Sequence, residues 1–454
     1  MKGSCDRTAR PEGLRAAKGC VREMPLRTLL VALLCVIISS RASLEREVRP
    51  LLEAAKARVN ASEAPHCFNG PSGTKASYLK SKYSAHLTGG VENTIVYPFC
   101  LMTRELGNKL GNLFTEIGCA EAAGLHFIAV HKQWDLSGSH TNITSTASVT
   151  TTMSTVKAHK DHEHQKRVYS EVQQRSKRAF LEALPDVIVH PRPVQTREQG
   201  LKNIQERCKC SRYCWGERQS AWINHTASIS KYLRTAITAY RTTSGMDKVG
   251  TILSVDTDIT NAQPNQFLPV VPDVALQYRC GDNIGFSYMY GVLPFHTFLS
   301  RIPAHTRLIY VLSDHPSRAV HSPYSGRCQI ILHHLFEYLK LHFPQATIAI
   351  KRGGDMFLDY VRLAFANTTI CSASTYCFWP ALANTEGHVH FPLSGVIAGA
   401  DTLQQAPDFG SSFHWISDVQ VISDFRKYRP WTNVLDVLEG KDAASLAVAG
   451  GGIK

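Results

Sequence analysis

From about Asn93 the chain alternates short apolar runs with longer stretches whose apolar residues return every three or four positions. "TIVYPFC" reads as a strand, "NLFTEIGCAEAAGL" as a helix after a Gly-Asn turn, and "HFIAV" as a second strand, which is a βαβ order. Between Met246 and Pro272 the pattern becomes irregular, and "NAQPNQFLPVVP" carries three prolines, the expected boundary between two domains. Beyond it the alternation resumes. "DVALQYR", "RLIYVLSD", "ATIAIKR" and "TTICSAS" read as strands, separated by the helical stretches "CQIILHHLFEYLKLHF" and "MFLDYVRLAFAN" and followed by a helix through "YCFWPALAN". Strands alternating with helices predict an α/β fold with a parallel sheet covered on both faces, and ligands of such sheets sit at the carboxyl ends of the strands.

The flanks have a different character. Thr28 to Ser40 is an uncharged apolar run between Arg27 and Arg41, preceded by an arm with seven basic and three acidic residues. That charge bias keeps the arm cytosolic and sends the rest to the lumen, so the chain is expected to meet the membrane through this one segment, as a signal-anchor or as a cleaved signal peptide. The expected organisation is a basic arm (1–27), the apolar segment (28–43) and a charged, Ala-rich stem (44–90). An N-terminal Rossmann-like domain (91–255) with a Ser/Thr-rich insertion (135–165) follows, then a C-terminal domain (273–436) and a flexible tail (437–454).

Composition narrows the class. The 454 residues, 44% hydrophobic and 19% charged, are those of a globular chain of more than one core. Sequons at Asn60, Asn142, Asn224 and Asn367 and ten cysteines beyond the apolar segment suit glycosylation and disulfides in an oxidising lumen. The net charge of +13 is dispersed and not interleaved with aromatics, which argues against nucleic acid and for an anionic membrane surface or a phosphorylated small substrate. His159, His162 and His164 lie in a polar run and Cys208, Cys210 and Cys214 lack a paired CxxC spacing, so no metal site is expected.

Three clusters carry candidate chemistry. In "QYRCGDN", Arg279 and Asp282 leave an apolar strand, and the Arg279 guanidinium can fork onto phosphate oxygens or pair with Asp282 to fix the turn. In "CSASTYCFWPALAN", Ser372, Ser374 and Thr375 stand at a strand-to-helix junction, where hydroxyls bind an anion or cap the helix. Upstream, Asp355 and Asp359 follow a glycine turn; one carboxylate can accept from a purine edge while the other caps its helix. In "ELGNKLGNLF", Gly107 and Asn108 are expected to form the turn between strand and helix, where glycine lets backbone approach a ligand closely.

Together these stretches resemble the fucosyltransferase superfamily that embraces the α1,2-, α1,6- and protein O-fucosyltransferases. "LGNKLGNLFTEIGCAEAAG" is similar to that family's Leu-Gly-Asn turn and helix, "QYRCGDN" to its His-x-Arg-Arg-x-Asp motif, and "SASTYCFW" to its Ser-rich segment before an aromatic helix. The resemblance implies a GT-B architecture of two facing Rossmann-like domains with parallel sheets, and inverting, metal-independent transfer of fucose from GDP-fucose to a glycan or glycoprotein in the Golgi or endoplasmic reticulum. Arg279 would contact the β-phosphate, Ser372, Ser374 and Thr375 the diphosphate, Asp359 the guanine, and Gly107 with Asn108 the cleft. Gln277 and Cys280 stand where that family has the motif histidine and second arginine, so Gln277 would meet the base edge, and Arg318, Lys351 and Arg352 are candidates to restore the missing charge. Asp282 and Glu105 are the candidate bases. A luminal glycan-binding module without turnover and a transferase using another nucleotide sugar are the alternatives.

Overall fold

The computed structural model describes residues 94–102, 106–135, 171–188, 190, 194, 196–207, 223, 225–245, 251–252, 259–262, 267–280, 292–314, 325–353, 355–393, 408–417 and 432–440. All belong to the compact unit Glu63–Lys454. The first elements are β1 (Thr94–Met102), α1 (Leu106–Ala123) and β2 (His126–Asp135), with β1 parallel to β2. This is the expected βαβ unit. A helix over 171–183 (α2) precedes β3 (Val187–Ile188), which pairs antiparallel with β2. Helices α3 (Arg197–Arg207) and α4 (Thr226–Ser244) follow, α4 ending on Gly245.

The stretch read as irregular contributes β4 (Thr251–Ile252) paired with β6 (Phe267–Leu268), and between them β5 (Ile259–Thr260). The second alternation then gives β7 (Val274–Gln277), α5 (His296–Leu299), β8 (Leu308–Ser313), α6 (Ser325–His342), β9 (Thr347–Arg352) and α7 (Met356–Phe365). It continues with β10 (Thr368–Cys371), α8 (Thr375–Leu382), β11 (His388–Pro392), β12 (Phe413–Ile416) and α9 (Thr432–Glu439), which carries Val437 and Leu438 into the core beyond position 436.

The fold is α/β, with a mostly parallel seven-stranded sheet in the order β12-β11-β10-β7-β8-β9-β5 and only β5 antiparallel, against β9. From β7 the chain steps outward through β8 and β9, then returns across the sheet to lay β10 on the other side of β7. The order therefore reverses between β7 and β10, and in open α/β sheets that reversal opens a crevice at the carboxyl ends of the strands.

Burial explains the continuous apolar runs. Val274, Leu276, Ile309, Val311, Ile348, Ile350 and Ile370 face one core with α5, α6 and α9; Ala275, Leu308, Tyr310, Leu312, Ala349 and Cys371 face the other with α1, α4, α7 and α8. Strands buried on both faces lose the apolar-polar alternation of a half-exposed sheet. Leu110, Leu113, Phe114 and Ile117 of α1 share that second core with Phe378 and Trp379 of α8, and the Phe114 and Trp379 rings are 5.1 Å apart. The βαβ unit and the large sheet are thus joined through α1 and α8.

Candidate functional site

The carboxyl ends of β7 and β10 bring four of the singled-out residues into one hydrogen-bonded group. Gln277 and Cys371 are register partners, so the residues that follow each strand meet at that edge of the sheet. The Arg279 N–H donates to Ser372 Oγ at 2.7 Å. Ser372 Oγ in turn lies 2.6 Å from the Gln277 carbonyl oxygen and 2.9 Å from Gln277 Oε1. Arg279 Nη1 donates to Ser374 Oγ at 3.2 Å, and the same oxygen accepts from Tyr376 N at 3.2 Å, capping α8. A guanidinium is therefore fixed at the positive end of a helix by the cap residue itself.

Two disulfides frame this group. Cys371–Cys377 closes a short loop around Ser372, Ala373, Ser374, Thr375 and Tyr376. Cys280–Cys328 ties the residue after Arg279 to α6. Cys280 is fully buried, so the position read as a lost arginine is a covalent anchor facing the α6 side.

Asp314, directly after β8, was not singled out from the sequence. Its Oδ2 lies 3.9 Å from Arg279 Nε. The pairing of β7 with β8, Gln277 opposite Leu312, carries both residues past the same sheet edge. The signal that could have found it was its place as the first charged residue after an apolar strand.

Gly107 and Asn108 lie in the first turn of α1, not in a strand-to-helix turn. The close approach that requires Gly107 is to protein: a Cβ there would stand 2.9 Å from Thr375 C, Thr375 O and Tyr376 N. Trp379 Nε1 donates to the Gly107 carbonyl at 2.7 Å, and Thr375 Oγ1 to Asn108 Oδ1 at 3.2 Å. The starts of α1 and α8 thus pack backbone to backbone, and the Thr375 hydroxyl is used in holding them.

Asp355 caps α7, accepting from Phe357 N at 2.9 Å on one oxygen and from the Tyr240 hydroxyl of α4 at 2.7 Å on the other. Asp359, only 7% exposed, accepts from Arg362 Nη1 at 2.8 Å and from the Tyr376 hydroxyl at 3.2 Å. Burial pushes its carboxyl up to about 6 against the opposing pull of Arg362. Both Asp359 oxygens are thus taken by protein donors, Arg362 on one and Tyr376 on the other. Gln277 likewise points inward, 4% exposed and bonded to Ser372.

On the far side of β8, Ser313 and Arg352 are register partners at the ends of β8 and β9. Gly353 turns the chain there with φ 78, a conformation that favours glycine, and its N–H donates to the Ser313 carbonyl at 2.9 Å.

Asp282, Glu105 and Arg318 lie outside the described residues, as do Asn60, Asn142, Asn224, the apolar segment 28–43 and the histidine and cysteine runs weighed for zinc. Asn367 is described and exposed, in the turn between α7 and β10. Among the described residues no group of three or more His, Cys, Asp and Glu could hold a metal, and no helix is long and apolar enough to cross a membrane. No family model, no curated protein and no solved structure matches this chain, so the crevice between β7 and β10 is read from its own geometry.

Proposed function

We propose that the chain is a glycosyltransferase of the secretory pathway that grips the diphosphate of a nucleotide sugar between Arg279 and the start of α8. The observation that carries this reading is the Arg279–Ser374 contact at the point where strand order reverses. A leaving nucleoside diphosphate gains negative charge as the sugar departs, and a fixed guanidinium beside a helix start is charge arranged in advance for that moment. Ser374 and Ser372 hold Arg279 in place, and Asp314 braces its Nε side.

In the proposed reaction the acceptor hydroxyl oxygen attacks the sugar C1 from the face opposite the nucleotide. The bond from C1 to the β-phosphate oxygen breaks with its electron pair left on that oxygen, and the hydroxyl proton passes to a carboxylate, for which Asp282, Glu105 and Asp314 are the candidates. The resemblance of the sequence points to GDP-fucose as donor, a glycan or glycoprotein as acceptor, and no metal. The GT-B arrangement belongs to this proposal too, with the β1–α1–β2 unit as the acceptor-side half. So do single-pass anchorage in the Golgi or endoplasmic reticulum and glycosylation at the four sequons.

The inward engagement of Gln277 and the disulfide at Cys280 favour a second reading, a glycan-binding module that has kept the crevice without turnover. Thermal-shift measurements on the purified chain with GDP, UDP, CMP and ADP decide the nucleotide. Stabilisation by GDP above the others supports the fucose reading, and a preference for UDP overturns it. Donor hydrolysis that survives EDTA and is abolished by Arg279→Ala supports the transferase; glycan binding indifferent to that substitution supports the module.

A further inference from the structure

We infer that Arg352 supplies the second positive charge for the leaving diphosphate, taking from β9 the place that residue 280 leaves uncharged. This rests on the proposed nucleotide-sugar site and concerns which residue completes it. Cys280 projects to the α6 side of the sheet, where it bonds to Cys328. The next residue of α6, Gln329, accepts from Arg352 Nη1. The guanidinium that leaves β9 and the side chain that leaves residue 280 therefore converge on consecutive residues of one helix.

Among the described residues little compensates Arg352 where it lies. The residue is 7% exposed, Gln329 is its hydrogen-bond partner among the described residues, and its Nε is buried with none. Its cross-strand neighbour Ser313 is 8% exposed, and the Ser313 hydroxyl is buried without a partner as well. Burial holds the guanidinium below its ordinary value, offset in part by the nearby Asp314 carboxylate, which also stands 3.9 Å from Arg279. A buried guanidinium nitrogen without a partner is costly, and an incoming oxyanion relieves that cost. Gln329 is exposed, so the contact that restrains Arg352 is at the rim and can be exchanged for a ligand. Among the described residues Asp314 is the carboxylate that acts on both Arg279 and Arg352, so two guanidinium groups share one carboxylate at the place proposed for a triply anionic nucleoside diphosphate.

The test is calorimetric titration of the full chain with GDP and GMP, and with UDP and UMP in parallel, for the wild type, Arg279→Ala, Arg352→Ala, Arg352→Lys and Gln329→Ala. Arg352→Ala is expected to weaken diphosphate binding at least tenfold while changing monophosphate binding less than twofold. Arg352→Lys, which keeps the charge, should retain most of the preference for diphosphate and serves if the alanine variant does not fold. Gln329→Ala should leave diphosphate affinity unchanged or raise it, because it frees the fork. Arg352 is merely structural, and the inference fails, if Gln329→Ala and Arg352→Ala weaken diphosphate and monophosphate alike. It also fails alone if diphosphate binding depends on Arg279 but not on Arg352, whereas a wild type that binds no nucleoside diphosphate overturns the donor site itself.

Discussion

Gly107→Ala tests the contact on which the crevice is built. The added methyl would stand 2.9 Å from three backbone atoms of Thr375 and Tyr376, and backbone cannot swing aside as a side-chain tip can. Overpacking of this kind costs about 1–3 kcal/mol. Moving α8 away also strains the buried Trp379–Gly107 hydrogen bond, adding about 1 kcal/mol. Replacing glycine in a helix returns about 0.5 kcal/mol, at the low end because position 107 lies in the first turn. The net expectation is a loss of about 2 kcal/mol. Urea unfolding followed by tryptophan fluorescence measures it, with Asn108→Ala as control, which loses the Thr375 contact without a clash and should cost less. A Gly107→Ala chain as stable as the wild type would refute the packing argument, since helix propensity alone predicts a small gain.

Other expectations concern single contacts. Asp355→Ala removes the α7 cap and the carboxylate that accepts from the Tyr240 hydroxyl, for a loss of about 2 kcal/mol by chemical denaturation. Cys371→Ser opens the loop around Ser372 and Ser374; from its sequence separation of 6 the closure term is about 2 kcal/mol. Nucleotide binding should weaken in that variant more than in Asp355→Ala, as titration calorimetry would report. His390 lies beside His414, Arg301 and His388, and burial first, then those charges, lower it to about 4. Its unfolded form therefore binds more protons between pH 4 and 6.5, so its contribution is full above about 6.5 and lost as pH falls toward 4. A His390→Asn chain should gain on the wild type as pH drops through that window, and parallel stability-pH curves would contradict the assignment. On the proposed luminal reading, Asn367→Gln should remove one enzymatically cleavable glycan from the chain expressed in a secretory host, read as a mobility shift.

The apolar runs made the elements of the sheet legible because strands buried on both faces must be apolar throughout. The order of those strands was not legible, since nothing local in "TTIC" says that β10 lies beside β7 and not beside β9. The convergence of Arg279 with Ser372 and Ser374 follows from that non-local pairing, and so does the approach of Asp314. Gly107 and Asn108 carry turn chemistry, yet contacts with α8 hold them inside a helix, a tertiary demand that local propensity does not contain. Asp359 and Ser374 are linked through Tyr376, whose hydroxyl donates to the acid and whose N–H donates to the serine, a contact that forms only once α7 and α8 pack together. Cysteine spacing could not say that residue 280 pairs with 328.

The junction of α1 and α8 also governs how the molecule can move. Where two helix starts touch through their main chains and an indole hydrogen-bonds one to the other, sliding of α1 past α8 is opposed at that spot. Arg279 and Ser374, bonded to each other at the residue that caps α8, share that restraint and are expected to be among the least displaced groups of the site.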